Sequence, residues 1–191
     1  MIFTRRGIIY FVAIDLVLLS VAVSALVFYR RSTAPLGLED FGSGRMRLES
    51  TAFEQNGPIP AKYTCDGENV NPPLAASGIP DGTKSLVLIM DDPDAPIGVW
   101  THWTVWNIPP RPGRIDEATV PQGASQGTTS AGTPGYGGPC PPFGTHRYFF
   151  KLYALNDAVS LPPAADARAL EAFIAPRTID KAGLVGTFRR K

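Results

Sequence analysis

The fold is set by Met90-Asp-Asp-Pro-Asp-Ala-Pro-Ile-Gly-Val-Trp-Thr-His-Trp-Thr-Val-Trp-Asn-Ile-Pro109, where one strand is expected to end and another to begin. The apolar run Ser85 to Met90 predicts a buried strand leading into this stretch. His102 to Ile108 predicts the strand that leaves it, ended by prolines. Three carboxylates fill the turn between them: Asp91, Asp92 and Asp94. Acidic groups and a histidine at the mouth of a strand indicate a candidate site for chemistry or ligand capture.

A second dense stretch, Gly137-Gly-Pro-Cys-Pro-Pro-Phe-Gly-Thr-His-Arg-Tyr148, holds the other of the chain's two histidines. A strand follows it, and the two-residue period of a strand sets His146 and Tyr148 on one face. In an antiparallel arrangement the end of one strand lies beside the start of its neighbour. We therefore expect Asp92, His102, His146 and Tyr148 to converge at one edge of a sheet.

Length and composition predict a single, mainly β domain. The chain has 191 residues, with 19 glycines and 19 prolines that follow no period. This composition favours many short strands and turns over helical bundles. The first 31 residues carry four arginines against one aspartate, so the remainder is net acidic although the whole chain is formally +1. Such a remainder has no basic footprint for nucleic acid.

The sequence predicts that the N-terminus is a segment separate from the folded domain. Arginines flank an apolar run from Gly7 to Tyr29, long enough for a membrane-spanning helix of about 20 residues. We predict an uncleaved single-pass anchor over 1–31, a linker over 32–44 and a folded domain over 45–191, with the domain outside the cytoplasm. A signal peptide cleaved after Val23-Ser-Ala25 is the alternative.

The remaining elements are predicted as follows. A strand is expected over Arg45 to Phe53, a strong one over Arg147 to Leu155, a helix over Ala164 to Ile174 and a last strand over Ala182 to Arg189. Residues 110–145 have hardly any periodicity, and a loop of that length in a compact domain is usually functional or disordered.

Catalysis and metal binding find little support. The histidines lie 44 residues apart without metal-ligand spacing, so no metal is predicted, and no motif indicates a cofactor. The Gly-x-Ser-x-Gly match around Ser125 lacks the strand and helix of a nucleophile elbow, and no acid lies between Ser125 and His146. We therefore predict no catalytic residues, and a hydrolase is the least favoured of the three candidate functions considered for this chain.

Anion binding fits the residues better. Two histidines can donate to an anion, and carboxylates beside them would orient them and raise their pKa. The segment Gly137 to Pro139 could offer a backbone amide, although Pro139 itself cannot donate. Tyr148 adds a hydroxyl on the face of His146. Cys65 and Cys140 would pair if the domain is exported and remain thiols if it is cytoplasmic, and both readings stay open.

Five motifs closely resemble the phosphatidylethanolamine-binding protein family, in its prokaryotic, Raf kinase inhibitor-like branch. They are Asp91 to Pro96, Trp100 to Pro109, Gly137 to Tyr153, Tyr63-Thr-Cys-Asp-Gly67 and Gly183-Leu-Val-Gly186. The resemblance covers about Arg45 to Arg190. It implies a Greek-key β fold with a large central antiparallel sheet, a smaller sheet and a peripheral helix, to which the sequence adds the N-terminal transmembrane helix.

The resemblance also implies a small pocket for phosphate groups and other anions. At matching positions its residues are Asp92, Pro96, His102, Gly138, Pro139, His146 and Tyr148, with Asp94 supporting the turn. The expected function is binding of a small phosphorylated or anionic ligand, for which a phospholipid headgroup is one candidate. The alternative is a protein-interaction module that inhibits a kinase or protease.

Overall fold

The computed structural model describes Phe41 and residues 44–191. These residues form eight strands, a single 3₁₀ turn at Ala61–Tyr63 and one α-helix. In chain order the elements are β1 (Arg47–Glu49), β2 (Leu74–Ser77), β3 (Ser85–Asp92), β4 (Trp100–Ile108), β5 (Arg114–Ile115), β6 (Ser125–Gln126), β7 (His146–Leu155), α1 (Ala167–Ile174) and β8 (Thr178–Phe188).

The strands make two antiparallel sheets. The larger has the order β6-β4-β3-β7-β8 and the smaller the order β1-β2-β5. The predicted mainly β class, with a larger sheet, a smaller sheet and a helix, is confirmed for the described part of the chain.

The fold prediction is wrong in including a transmembrane helix. No helix within residue 41 and residues 44–191 is long and apolar enough to cross a membrane. The helix α1 has eight residues and therefore extends about 12 Å, whereas a bilayer crossing takes about 20 residues. The predicted span, 7–29, lies outside the described residues, as do the whole 1–31 segment and most of the 32–44 linker.

The main core lies on the face of the larger sheet that the smaller sheet covers. Leu88 and Met90 of β3 pack there with Phe150 of β7, and Leu48 and Leu74 reach the same cluster from the smaller sheet. All eight residues of β3 are buried, because it has a neighbouring strand on either side and is covered on both faces. The continuous apolar run that predicted this strand is the signature of such double burial.

On the other face, α1 packs through Leu170 and Ile174, which are completely buried. The helix begins three residues later than predicted, because Asp166 is its N-cap and its side chain accepts a hydrogen bond from the Ala169 amide at 2.8 Å.

Strand pairing brings three chain segments to one edge of the larger sheet. Asp92 at the end of β3 is paired with Trp100 at the start of β4. On its other side, Asp91 is paired with Phe149, close to the start of β7 at His146. The acidic turn and both histidines therefore lie at the same edge.

Candidate ligand-binding site

A cavity of about 470 Å³ opens at this edge. Its ionisable lining groups are Asp92, His102 and His146. The other twelve lining residues are apolar or small: Ala95, Pro96, Ile97, Trp100, Thr101, Thr129, Ala131, Gly137, Gly138, Cys140, Pro141 and Pro142. The cavity is therefore an apolar cleft with two imidazoles and one carboxylate in its wall.

His146 is held by Asp92. The imidazole Nδ1 lies 2.7 Å from Asp92 Oδ2, and both residues are at least 96% buried. A carboxylate only accepts, so Nδ1 carries a proton and donates it. The other carboxylate oxygen accepts the Asp94 amide at 2.8 Å, which fixes the carboxylate in turn. The Nε2 atom of His146 has no hydrogen-bond partner among the described residues.

His102 is held in the same way by a backbone carbonyl. Its Nδ1 lies 2.7 Å from the Gly137 oxygen, which can only accept, so Nδ1 again carries the proton. The ring packs edge-on against Tyr148, with centroids 5.2 Å apart. Within the described part of the chain no hydrogen bond is formed at its Nε2 atom, although the Gly138 backbone lies close enough to the ring to act in the direction of a higher pKa.

Burial lowers the pKa of His102 below its ordinary value, and this effect exceeds the opposing effects of the Gly137 carbonyl and of Asp92. The sequence predicted that neighbouring carboxylates would raise this pKa; Asp92 and Asp91 do act in that direction, but their effect on His102 is smaller than that of burial. The physical reason is that removing the imidazolium from water in an apolar cleft costs more than the nearby charges return.

The expected free backbone amide at Gly137 to Pro139 is not present in the structure. The Gly137 amide donates to the His102 carbonyl at 2.9 Å, and the Gly138 amide donates to Asn69 Oδ1 at 2.8 Å. A Cβ at position 138 would lie 2.5 Å from that same oxygen, so the close approach requires glycine. This segment is therefore a tightly hydrogen-bonded wall rather than an anion cradle.

The predicted site residues fall into two groups. The cavity wall includes Asp92, Pro96, His102, Gly138 and His146, and does not include Asp94, Pro139 or Tyr148.

Those three residues support the wall. Asp94 accepts hydrogen bonds from the Arg147 side chain at 2.6 and 2.8 Å, which fastens the acidic turn to β7 and lowers the pKa of Asp94. The Pro139 carbonyl accepts the Cys65 amide at 3.1 Å. Tyr148 is completely buried, its hydroxyl has no hydrogen-bond partner in the described residues, and burial raises its pKa.

A disulfide joins Cys65 to Cys140, with Cα atoms 5.4 Å apart. The sequence had left this pairing open. The bond fastens the cavity wall at Cys140 to the segment after the 3₁₀ turn, and Tyr136 adds a second tie by donating to the Tyr63 carbonyl at 2.7 Å.

Sequence reasoning missed Asn69 and the lining contributed by Thr129 and Ala131. Asn69 has φ +57°, a left-handed backbone conformation that asparagine tolerates better than most residues. The sequence signal available for Asn69 was therefore the preference of asparagine for such turn positions. Thr129 and Ala131 lie in the aperiodic stretch 110–145, which offered no pattern to place them.

Comparison with known proteins agrees with this fold. The sequence profile of the family described as phosphatidylethanolamine-binding protein matches residues 49–189. A protein of Methanothermobacter thermautotrophicus, named UPF0098 protein, is 47% identical over 150 residues, which are 76% of this chain and 99% of the relative. The solved structure of a Chlamydia trachomatis protein, provisionally named a homologue of phosphatidylethanolamine-binding protein, superposes with a TM-score of 0.74 at 40% identity, over 78% of this chain and 100% of that one.

A Mycobacterium tuberculosis protein, provisionally named lipoprotein LppC, is 42% identical over 145 residues, which are 75% of this chain and 72% of the relative. Fold and cavity together define a two-sheet β protein with a histidine-lined cleft at one sheet edge. The chain belongs to the phosphatidylethanolamine-binding protein family, and the resemblance seen in its sequence is confirmed.

Proposed function

We propose that the protein binds a small phosphorylated or otherwise anionic organic ligand in this cavity. The observation that carries the proposal is the pair of imidazoles, His102 and His146. Each Nδ1 is engaged by the protein, and neither Nε2 has a partner in the described residues. An imidazole Nε2 can hold a phosphoryl group as a charge-assisted donor when it is protonated, or as an acceptor from a P–OH group when it is not, and no lysine or arginine lines the described cavity wall.

The rest of the wall supports an organic ligand rather than a bare ion. Side chains such as Ile97, Trp100 and Pro141 would contact an apolar substituent while the anionic group meets the histidines. The volume of about 470 Å³ is in the range of small-molecule sites. The free headgroup of a phospholipid, such as phosphorylethanolamine, is one candidate of suitable size.

We propose binding rather than catalysis. Ser125 lies in β6 and does not line the cavity. The amides of Gly137 and Gly138 donate within the protein, so these two cannot stabilise an oxyanion.

Calorimetric titration of the full-length chain with phosphorylethanolamine and inorganic phosphate tests the proposal. Losing one hydrogen bond to a charged ligand costs about 1.5–3 kcal/mol, so at a pH of about 6 His102→Ala and His146→Ala should each weaken binding of these phosphates about 10- to 150-fold. Ser125→Ala is the matched control and should bind like the wild type. Wild-type affinity in both histidine variants would mean that the histidines are structural.

A protein-interaction role, inhibiting a kinase or protease, is the second candidate. It is favoured by exposed apolar side chains beside the cavity: Ile97 is 80% exposed, Val99 54% and Phe143 68%. The same titration separates the two functions, because a module that recognises only a protein surface would give no heat with small phosphates.

The name of the mycobacterial relative supports an association of this chain with a membrane. Placement of the domain outside the cytoplasm is a further proposal. Protease added to intact cells should digest the domain, and protection until lysis would contradict that placement.

A further inference from the structure

The two imidazoles offer a ligand different hydrogen-bonding groups. Because the Gly137 carbonyl fixes the proton of His102 on Nδ1, the neutral ring presents a lone pair at Nε2 and can only accept there. To donate, His102 would have to take a second proton. The residue is 93% buried, and the cavity beside it is lined mostly by apolar groups, so the added charge would be poorly solvated.

His146 is in a different position. Its Nδ1 donates to the Asp92 carboxylate, so a second proton on Nε2 would form an ion pair with a buried counter-charge 2.7 Å away. A cleft with one acceptor and one charge-balanced donor is complementary to a ligand group that has both an anionic oxygen and a hydroxyl.

We propose that the cavity selects oxyanions that carry a proton of their own, specifically the monoanion of a phosphomonoester, over sulfate esters and phosphodiesters. This inference rests on the proposed anion-binding function and names the ligand class for the same site. In the bound state the P–OH group donates to Nε2 of His102, and an unprotonated phosphate oxygen accepts from Nε2 of His146.

Phosphomonoesters differ from sulfate esters and phosphodiesters in whether their monoanion carries a hydroxyl. The second pKa of a phosphomonoester is about 6, so its monoanion, with one hydroxyl, is well populated in mildly acidic solution. A sulfate monoester has the same shape and the same single charge but no hydroxyl, and a phosphodiester monoanion also has none. Each of these would leave the His102 lone pair without a donor, and sites built to hydrogen-bond a hydroxyl discriminate strongly against analogues that lack it.

The test compares phenyl phosphate, phenyl sulfate and methyl phenyl phosphate by calorimetric titration of the full-length protein at a pH of about 6, near the second pKa of phosphomonoesters. We expect phenyl phosphate to bind about 10- to 100-fold more tightly than either analogue. Raising the pH to about 8 converts the phosphomonoester to its dianion, so this advantage should shrink. His102→Ala should remove the discrimination, whereas His146→Ala should weaken all three ligands.

The outcomes separate the inference from the function on which it rests. Equal affinity for phenyl phosphate and phenyl sulfate would overturn the inference while anion binding stands. If none of the three binds, the proposed function itself is overturned. Imidazole ¹⁵N NMR of the wild-type complex provides a measurement that needs no folded variant, since Nε2 of His102 should remain unprotonated when phenyl phosphate is bound. A protonated Nε2 there would also overturn the inference.

Discussion

Replacing Lys151 with methionine should strongly destabilise the domain. Lys151 is 97% buried in β7, where its ammonium group contacts Asp91 of β3 and lies 3.5 Å from Glu171 of α1. Asp91 is equally buried, and its Oδ1 has no hydrogen-bond partner in the described part of the chain. Methionine fills a similar volume but leaves this carboxylate without its counter-charge.

Removing one partner of a buried ion pair costs about 3–5 kcal/mol, mostly because the other charge is left unpaired. Lys151→Met should therefore lower the free energy of unfolding in urea by about that amount, at an unchanged m-value. Adding Asp91→Asn removes the stranded charge and should recover at least half of the loss.

The exposed pair Arg114–Asp116 provides a matched control. Its side chains are 61% and 59% exposed, and Arg114→Met should cost less than about 1 kcal/mol. A Lys151→Met loss no larger than that of the control would show that the Asp91 carboxylate does not depend on the buried ammonium group, and would refute the reasoning.

Three further predictions concern the supports of the cavity. Cys65→Ala with Cys140→Ala opens a loop closed over 75 residues and should cost about 4 kcal/mol in urea unfolding; an unchanged midpoint would contradict this. Because Arg147 lowers the pKa of Asp94 in the folded state, this carboxylate contributes stability above its unfolded pKa that is lost as pH falls through the folded one. The stability difference between wild type and Asp94→Asn should therefore shrink from a pH of about 6 to about 3, and a constant difference would argue against the linkage. Asn69→Ala removes the acceptor of a buried amide and puts alanine at φ +57°, so it should cost about 2 kcal/mol, whereas Asn69→Asp keeps the acceptor; equal stability of the two variants would show that the acceptor is dispensable.

The long strands of the larger sheet could be predicted from the sequence. Predicted and observed starts differ by two residues at β4 and by one at β7. Strands β3, β4 and β7 are runs of aliphatic and aromatic residues buried largely on both faces, so local composition decides them. Strand β8 is buried mainly at alternate residues and begins four residues before its predicted start. The convergence of Asp92 with His102 and His146 follows from antiparallel pairing alone, because a strand end lies beside the start of its neighbour.

The short strands could not be predicted, for a physical reason. Strands β5 and β6 have two residues each and pair with segments distant in the chain, so their register depends on tertiary packing rather than on local pattern. The first strand was predicted over nine residues and has three.

The sequence can predict which face of a strand a side chain lies on, but not whether that side chain lies in the core or at the cavity. Period two correctly set Tyr148 on the face of His146, but that face is the main core at Tyr148 and the cavity at His146. Whether Gly138 offers its amide to a ligand likewise depends on a distant acceptor, Asn69, which no local pattern reveals.

The consecutive carboxylates Asp91 and Asp92 lie on opposite faces of the larger sheet and have different roles. Successive side chains of a strand point to opposite faces. Asp92 therefore meets His146 at the cavity, while Asp91 meets Lys151 on the face that α1 covers. The sequence presents both as one acidic cluster at a turn. One carboxylate fixes the tautomer of an imidazole that lines the cavity, and the other compensates a buried ammonium group. A charge change at Asp91 should therefore appear first in unfolding, and a charge change at Asp92 first in ligand titration, although the two residues are adjacent in the chain.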